Sequence, residues 1–512
     1  MTEEFLKSLH HIVPQIILFI GSLTVMMLGL WKSSKVFITS LATLFFVLAI
    51  GAQCYVSEMN PGFLFKNILV DDNFGRFFTY FVIIVMMMSV WVSHLSQSIK
   101  GKTYSDYISM LLALTTGLSF MAISNHLLMI YLSIETVSIL SYCLAGIKKD
   151  HSKSNESALK YVVYGSMASG LMVYGMSLLY GMTGALDLNS IGTFLGSAQE
   201  GAPTLFWIGV LLTFVGFGYK IAIAPMHMWT PDVYEGAPTP VATMFSVAPK
   251  AAGFALLIRA CVVALAKGET EGGLLTMGYA HLNTELALFG SQILWPEFLM
   301  YISMLTMFMG NLAALLQKSV KRMLAYSAIA HAGYILMGLC TGDLKSISAI
   351  LFYLIVYAVM NFGAFWVTIK VEEAKGDESL NSFKGLIFQK PIYAICMTIF
   401  LCSLIGLPPF AGFMGKYQLF IAVLSKKMYL FALVAGINSV ISLYYYIKVV
   451  RVMFMDQPEV EVLKGQEKAF NCPVSKFAVV LLAIPNILWG IGIYLDEVVL
   501  MSKKMVSFFV GI

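Results

Sequence analysis

The chain has 512 residues, of which 59% are hydrophobic and only 12% charged. A soluble domain carries about twice that share of charge, so a water-soluble fold of this length is excluded. The net charge of +5 is too modest for a nucleic-acid binder, and none is expected as a partner.

The apolar residues fall into runs of about 18–25, long enough to cross a hydrocarbon core about 30 Å thick. The chain therefore reads as an all-α polytopic membrane protein with about fourteen transmembrane helices. They are expected near 12–31, 37–56, 76–95, 105–124, 127–147, 157–183, 204–228, 239–266, 295–317, 321–341, 345–370, 386–424, 428–454 and 475–500. The first run leads straight into WKSSK with no small-residue cleavage site, so it reads as a helix and not as a signal peptide.

Basic residues set the orientation. Lys32 and Lys35 follow span 1, Lys100 and Lys102 follow span 3, and Lys148, Lys149 and Lys153 follow span 5. Lys318, Lys321 and Arg322 separate spans 9 and 10; Lys370, Lys375, Lys384 and Lys390 surround the loop after span 11. Lys464, Lys468 and Lys476 follow span 13. All these loops share one side, which should be the cytoplasm. On the other side, residues 184–203 and the turn at Asn125 and His126 carry no lysine or arginine. Both termini then face outward.

Two spans cannot be continuous helices. The seventh contains GYKIAIAPMHMWTPD, with Lys220 and Pro225; the twelfth contains LIGLPPFAGFMGKYQLF, with Pro408, Pro409, Gly412, Gly415 and Lys416. They lie five spans apart. An odd offset reverses direction through the membrane, so spans 4–8 and 9–13 are expected to be inverted repeats. The expected organisation is a three-helix segment over 1–104, repeats over 105–267 and 295–454, and a C-terminal helix over 475–512.

Charged groups deep in lipid are costly and mark function. Glu135 sits mid-span in MIYLSIETVSILSYCLAG, with Lys220 its obvious partner. His227 follows seven residues later, on the same face if the turn stays helical. Lys250 in FSVAPKAAGF, His331 in YSAIAHAGYI and Lys416 extend the set. Lys160, opening span 6, either snorkels to the surface or reaches inward. Both histidines could equally be packing groups. Asp232 and Glu235 read as shaping the turn before span 8. The common chemistry is proton handling: a desolvated lysine can give up its proton, which arginine cannot. A row Glu135–Lys220–Lys250–(His331)–Lys416 would be a relay, and Thr243, Ser246, Tyr326 and Ser327 leave room for water to link it. Seven scattered cysteines (Cys54, Cys143, Cys261, Cys340, Cys396, Cys402, Cys472) form no C-x-x-C pair, so neither a metal set nor a disulfide framework is expected.

The run GYKIAIAPMHMWTPDVYEGAPTPVATMFSVAPKAAGF resembles the core of the antiporter-like membrane subunits of respiratory complex I, NADH–quinone oxidoreductase. Those are related to Mrp-type sodium/proton antiporters. The span-5 glutamate, NLAALLQKSVKRMLAYSAIAHAGYILMG and LPPFAGFMGKYQLF extend the likeness over nearly the whole chain. The resemblance implies a proton-pumping module with its charged axis at Glu135, Lys220, Lys250 and Lys416. It implies no cofactor in this chain, with FMN, iron–sulfur clusters and quinone in partner subunits. The implied partners are the antiporter-like subunit M, small membrane subunits and the lipid of a cell inner membrane. Subunit M tends to have glutamate where this chain has Lys416. The sequence ends soon after span 14, so no long lateral C-terminal helix is expected. Photosynthetic relatives tend to lack the lysine at the position of Lys250, which favours the respiratory bacterial form. The alternative is an Mrp-type Na⁺(K⁺)/H⁺ antiporter. A sodium site needs clustered oxygen ligands, and lysines repel cations.

Overall fold

Hydrocarbon offers no hydrogen bonds, so a chain crossing it must satisfy each backbone amide internally. In the computed structural model this is met almost wholly by helices. The described residues are 2–264 and 295–507, except 32–33, 100, 102, 198–202, 343, 459–469, 471 and 494. Lys32, Lys100, Lys102, Lys464 and Lys468, used above for orientation, lie outside them, as do the ends of the expected first repeat and C-terminal segment.

The helices are α1 (Thr2–His11), α2 (Val13–Trp31), α3 (Lys35–Ser57), α4 (Asn73–Leu95), α5 (Thr103–Ile123), α6 (Leu127–Ala145) and α7 (Ser152–Thr183). Then come α8 (Leu188–Ser197), α9 (Thr204–Ile221), α10 (Trp229–Gly236), α11 (Thr239–Ala264), α12 (Trp295–Leu315), α13 (Val320–Leu339) and α14 (Leu344–Lys375). The series closes with α15 (Leu386–Gln389), α16 (Pro391–Ile405), α17 (Ala411–Ser425), α18 (Tyr429–Met455), α19 (Pro473–Leu488) and α20 (Leu495–Ser507).

Eleven of the described helices are long and apolar enough to cross a membrane, so this is a multi-pass membrane protein. Three expected spans are not among the eleven, each for a physical reason. Helix α13 carries Lys321, Arg322 and His331 in its apolar run. The twelfth span is divided into α16 and α17. The last, expected as one helix over 475–500, divides into α19 and α20 around a turn with Gly492 at φ +90°.

Two features had no signal in the apolar runs. One is a hairpin, β1 (Gly62–Leu64) with β2 (Leu69–Asp71), whose turn holds Phe65, Lys66 and Asn67 all at positive φ. The other is α8, which buries only Leu188, Ile191 and Leu195 at helical spacing.

Close helix contacts rest on small residues. A Cβ on Gly175 of α7 would come within 2.5 Å of the Thr213 nitrogen of α9. One on Gly310 of α12 would come within 2.5 Å of the Ala330 nitrogen of α13. The centre of the molecule is α11, buried along its length except at Val263, packed with α13 and α14.

The two ends are chemically distinct, as the lysine count implied. At one end Lys35 donates to the Ser96 carbonyl, Lys370 to the Leu95 carbonyl at 2.6 Å, and Lys321 to the Ala237 carbonyl at 2.8 Å. At the other, Asn125 N–H donates to Ile68 O at 3.1 Å and Leu127 N–H to Leu186 O at 2.8 Å. Near that second end Arg259 of α11 makes two 2.8 Å bonds to Asp72, with both side chains fully buried. Asp72 also caps α4 through the Gly75 N–H at 2.7 Å. Removing one partner of a buried ion pair strands the other charge, at a cost of about 3–5 kcal/mol. Asp72→Ala should therefore sharply reduce the amount of folded subunit in membranes, and Asp72→Asn should do so less; immunoblots of membrane fractions measure both.

Candidate functional site

The two breaks are built alike. Helix α9 ends one residue after Lys220, where Ala222 at φ +60° turns the chain and Ile223 N–H returns to Gly218 O at 3.0 Å. The backbone freed there finds partners from elsewhere: Ala224 N–H donates to Thr306 Oγ1 at 3.0 Å and Trp229 Nε1 donates to Tyr219 O at 3.1 Å. Helix α16 ends at Gly406, φ +86°, and α17 begins five residues later. Its Gly412 N–H donates to Ser403 Oγ at 3.0 Å. Each break includes a cis X–Pro bond, Ala224–Pro225 and Pro408–Pro409.

Three lysines lie deep, Lys220 and Lys416 at the breaks and Lys250 within α11, Lys220 and Lys250 each 2% exposed and Lys416 5%. Each ammonium is held by neutral oxygen. Lys220 Nζ donates to Ser138 Oγ at 3.2 Å, and Lys250 Nζ to the Ala328 carbonyl at 2.6 Å. Lys416 Nζ donates to the Ile405 carbonyl at 2.8 Å and Ser439 Oγ at 3.2 Å. It also stands 4.5 Å from the centre of the Tyr334 ring. The stem of Lys220 lies 3.7 Å from where a Cβ on Gly253 would be, one turn along α11 from Lys250.

His331 lies near the second and third lysines without bonding either. Its Nδ1 is 2.6 Å from the Tyr353 hydroxyl and its Nε2 3.3 Å from that of Tyr446, which also meets Ser327. Ring centres of Tyr357, Tyr353 and Tyr334 stand 5.3, 6.0 and 6.1 Å from the imidazole. Gly415, beside Lys416, lets Tyr353 approach: a Cβ there would meet that ring at 2.5 Å. The polar groups thus pass from Lys250 and α13 through His331 and four tyrosines to Lys416.

Three expectations need correction. Glu135 and Lys220 are not within the 4.0 Å that defines an ion pair; Glu135, only half-buried, accepts a hydrogen bond from Ser169 of α7, while Ser138 occupies the lysine. Glu135 and Ser138 share α6, but its pitch turns them to different neighbours. His227 does not share a helical face with Lys220, because residues 222–228 leave the helix; it is buried with Nδ1 unpartnered in the protein. Asp232 and Glu235 do more than shape a turn. Asp232 pairs with Lys160 at 2.8 Å and Arg322 at 3.0 Å; Glu235 pairs with Arg322 at 2.5 Å and Lys153 at 3.0 Å. Lys160, 38% exposed, joins this cluster and Glu156 around a cavity of about 140 Å³ at the basic end. It snorkels there, apart from the buried row.

Sequence reasoning missed Ser138, Ser169 and the tyrosines around His331. Their periodicity on α13, α14 and α18 is that of ordinary packing residues, and only assembly shows them converging.

A buried row of lysines at paired helix breaks defines an antiporter-like polytopic membrane protein. The NADH:quinone oxidoreductase/Mrp antiporter transmembrane family model matches this sequence twice in tandem, over residues 124–280 and 272–442. NADH-quinone oxidoreductase subunit N 2 of Sorangium cellulosum is 40% identical over 96% of either chain. Subunit N of Anaeromyxobacter sp. is 40% identical over 90% of each. A chain of respiratory complex I from Thermus thermophilus superposes with a TM-score of 0.77 at 28% identity, covering 96% of this chain and 100% of that one. A chain of the Mrp complex from Dietzia sp. shares the fold, with a TM-score of 0.80 at 19% identity over 98% of each. The chain belongs to the NADH:quinone oxidoreductase/Mrp antiporter transmembrane family, and within it to the subunit N kind.

The second break tolerates no added atom. A Cβ on Gly412 would fall 1.7 Å from the Ser403 carbonyl oxygen, whereas one on Gly436 of α18 meets nothing within 4 Å. Gly412→Ala should abolish stable accumulation of the subunit and Gly436→Ala should leave it unchanged, as read by immunoblot and thermal denaturation in detergent.

Proposed function

We propose that this chain is a proton-translocating subunit in the membrane arm of an NADH–quinone oxidoreductase, working through a relay of Lys220, Lys250, His331 and Lys416. The observation that carries the reading is three buried ammonium groups held by neutral oxygens, with a histidine–tyrosine cluster between the second and the third. A lone buried charge is costly, and lysine, unlike arginine, can relieve the cost by passing on its proton. The Ser138 and Ser439 hydroxyls, the Ala328 carbonyl and the Ile405 carbonyl freed at the second break hold the charge whenever the proton is present.

Glu135 then acts on Lys220 through its field across Ser138, not by contact. Protonating the carboxylate, or moving it with α7 through Ser169, would change how well Lys220 holds its proton. His227 is an auxiliary site beside the first break, and Lys160 belongs to the surface cluster at the mouth. Lysines are the wrong charge for a sodium site, which disfavours the stand-alone cation exchanger.

The same reading divides the chain into a three-helix segment over 1–104, inverted repeats over 105–267 and 295–454, and a C-terminal part over 475–512. The tandem family matches and the paired breaks support it. It places the basic end in the cytoplasm, both termini outside, and the chain in a cell inner membrane. Its partners would be subunit M and small membrane subunits, with FMN, iron–sulfur clusters and quinone held by others and no catalytic centre here.

Lys220→Ala, Lys416→Ala and Glu135→Ala should each more than halve proton translocation by the purified complex in sealed liposomes while assembly persists. Lys153→Ala should be silent, because exposed ion pairs contribute about 0–1 kcal/mol. Full translocation in all three, or a chain that purifies alone and exchanges Na⁺ for H⁺, would refute the assignment.

A further inference from the structure

Two polar stripes face each other between α11 and α14. On α11, Thr239, Thr243, Ser246 and Lys250 recur at four, three and four residues, which is one helical face. On α14, Glu372, Asn361 and Tyr357 share a face at eleven and four residues, with the apolar Phe365 between the first two. The stripes touch at both ends. The Thr239 hydroxyl donates to Glu372 at the basic end. Deeper in, Asn361 Nδ2 donates to Ser246 Oγ at 2.7 Å and to the Tyr357 hydroxyl at 3.1 Å, one turn short of Lys250. Thr243 and Ser246 each donate to the carbonyl of an earlier member of their own stripe, at 2.8 and 2.6 Å. Tyr234 of α10 stands against the middle of the seam, 6.4 Å from the Phe365 ring centre. Thr243, Ser246, Asn361 and Tyr234 are fully buried.

Buried polar side chains between membrane helices can serve only to hold them together. Such groups close their hydrogen bonds on one another. Here Asn361 Oδ1, Tyr234 Oη and, one turn before Tyr234, Thr230 Oγ1 find no partner in the protein. Buried polar atoms are satisfied by protein or by ordered water, and a polar site with several convergent groups can hold water. The unpartnered atoms therefore mark the seam as a path for water, running about 16 Å along α14 from Glu372 to Asn361.

We propose that the α11–α14 seam, from Glu372 through Thr239, Thr243, Ser246 and Asn361 to Lys250, is the lane by which protons reach the buried lysines from the basic end. It rests on the reading of Lys250 as a relay member. Glu372 takes up the proton at the mouth, in the field of Lys148 and Glu378. Each hydroxyl or bridging water accepts a proton on a lone pair and releases its own toward Lys250, so one proton enters for each that is delivered. Asn361 does not ionise; it holds Ser246, Tyr357 and the water at its free oxygen in line.

The test uses the whole complex in sealed liposomes, with the initial rate of proton translocation read against subunit content per complex. Glu372→Gln and Ser246→Ala should each more than halve the rate at unchanged content, and Glu372→Asp should retain most of it. Asn361→Leu should act alike; if it lowers content, Ser246→Ala decides, since it removes one hydroxyl and little volume. Unchanged rates in Glu372→Gln and Ser246→Ala, where Lys250→Ala abolishes translocation, overturn the lane and leave the relay standing. Unchanged rates in all of them, Lys250→Ala included, overturn both.

Discussion

The structure turns on one constraint: an ammonium group in hydrocarbon needs oxygen, and a continuous helix has little to give. Inside a continuous α-helix each carbonyl already accepts one bond from the helix and offers only its second lone pair, whereas free carbonyls appear where a helix ends. The chain meets the constraint partly by stopping two helices part-way through the membrane and partly with oxygens borrowed from neighbouring helices. Lys416 takes the last carbonyl of α16 directly. Lys220 lies one residue before the end of α9, facing a serine of α6. Lys250 has no break of its own and takes a carbonyl of α13 instead. The breaks in turn free backbone N–H groups that Thr306 and Ser403 accept from, and a carbonyl to which Trp229 donates. The polar lining of the centre thus follows from where the lysines are.

The same economy explains why α11 is buried on nearly all sides. It holds Lys250, lies against Lys220 through Gly253, faces α14 through Ser246, and reaches the N-terminal helices through Arg259 and Asp72. A helix with four such neighbours has no face left for lipid. The fully buried ion pair at one end and the ion cluster around Arg322 at the other are the charged contacts that fix its surroundings. Both lie away from the midplane, where an unmatched charge would disturb the lysines.

Much of this was legible in the residues. Apolar runs located the membrane helices to within a few positions, because burial in lipid is decided locally, residue by residue. Proline and glycine located both breaks for the same reason. Glu135 and the deep lysines stood out because each is a charge where composition forbids one. Less was legible about partners. Ser138 and Ser169 are unremarkable serines on lipid-period helices, and the tyrosines around His331 look like packing groups. The division of the last run into α19 and α20 was missed because its apolar average hid a turn.

The sequence by itself determined that this is a polytopic membrane protein, which end is basic, where two helices stop, and which side chains carry charge into the bilayer. These follow from hydropathy, backbone chemistry and the cost of charge, all of which act on short stretches. Only the tertiary structure decided that Glu135 and Lys220 answer to different serines, that Lys160 belongs to the surface, and that His331 sits among four tyrosines near Lys250 and Lys416. Such pairings depend on angles and separations between helices far apart in the chain, where a shift of a few ångströms exchanges one hydrogen-bond partner for another.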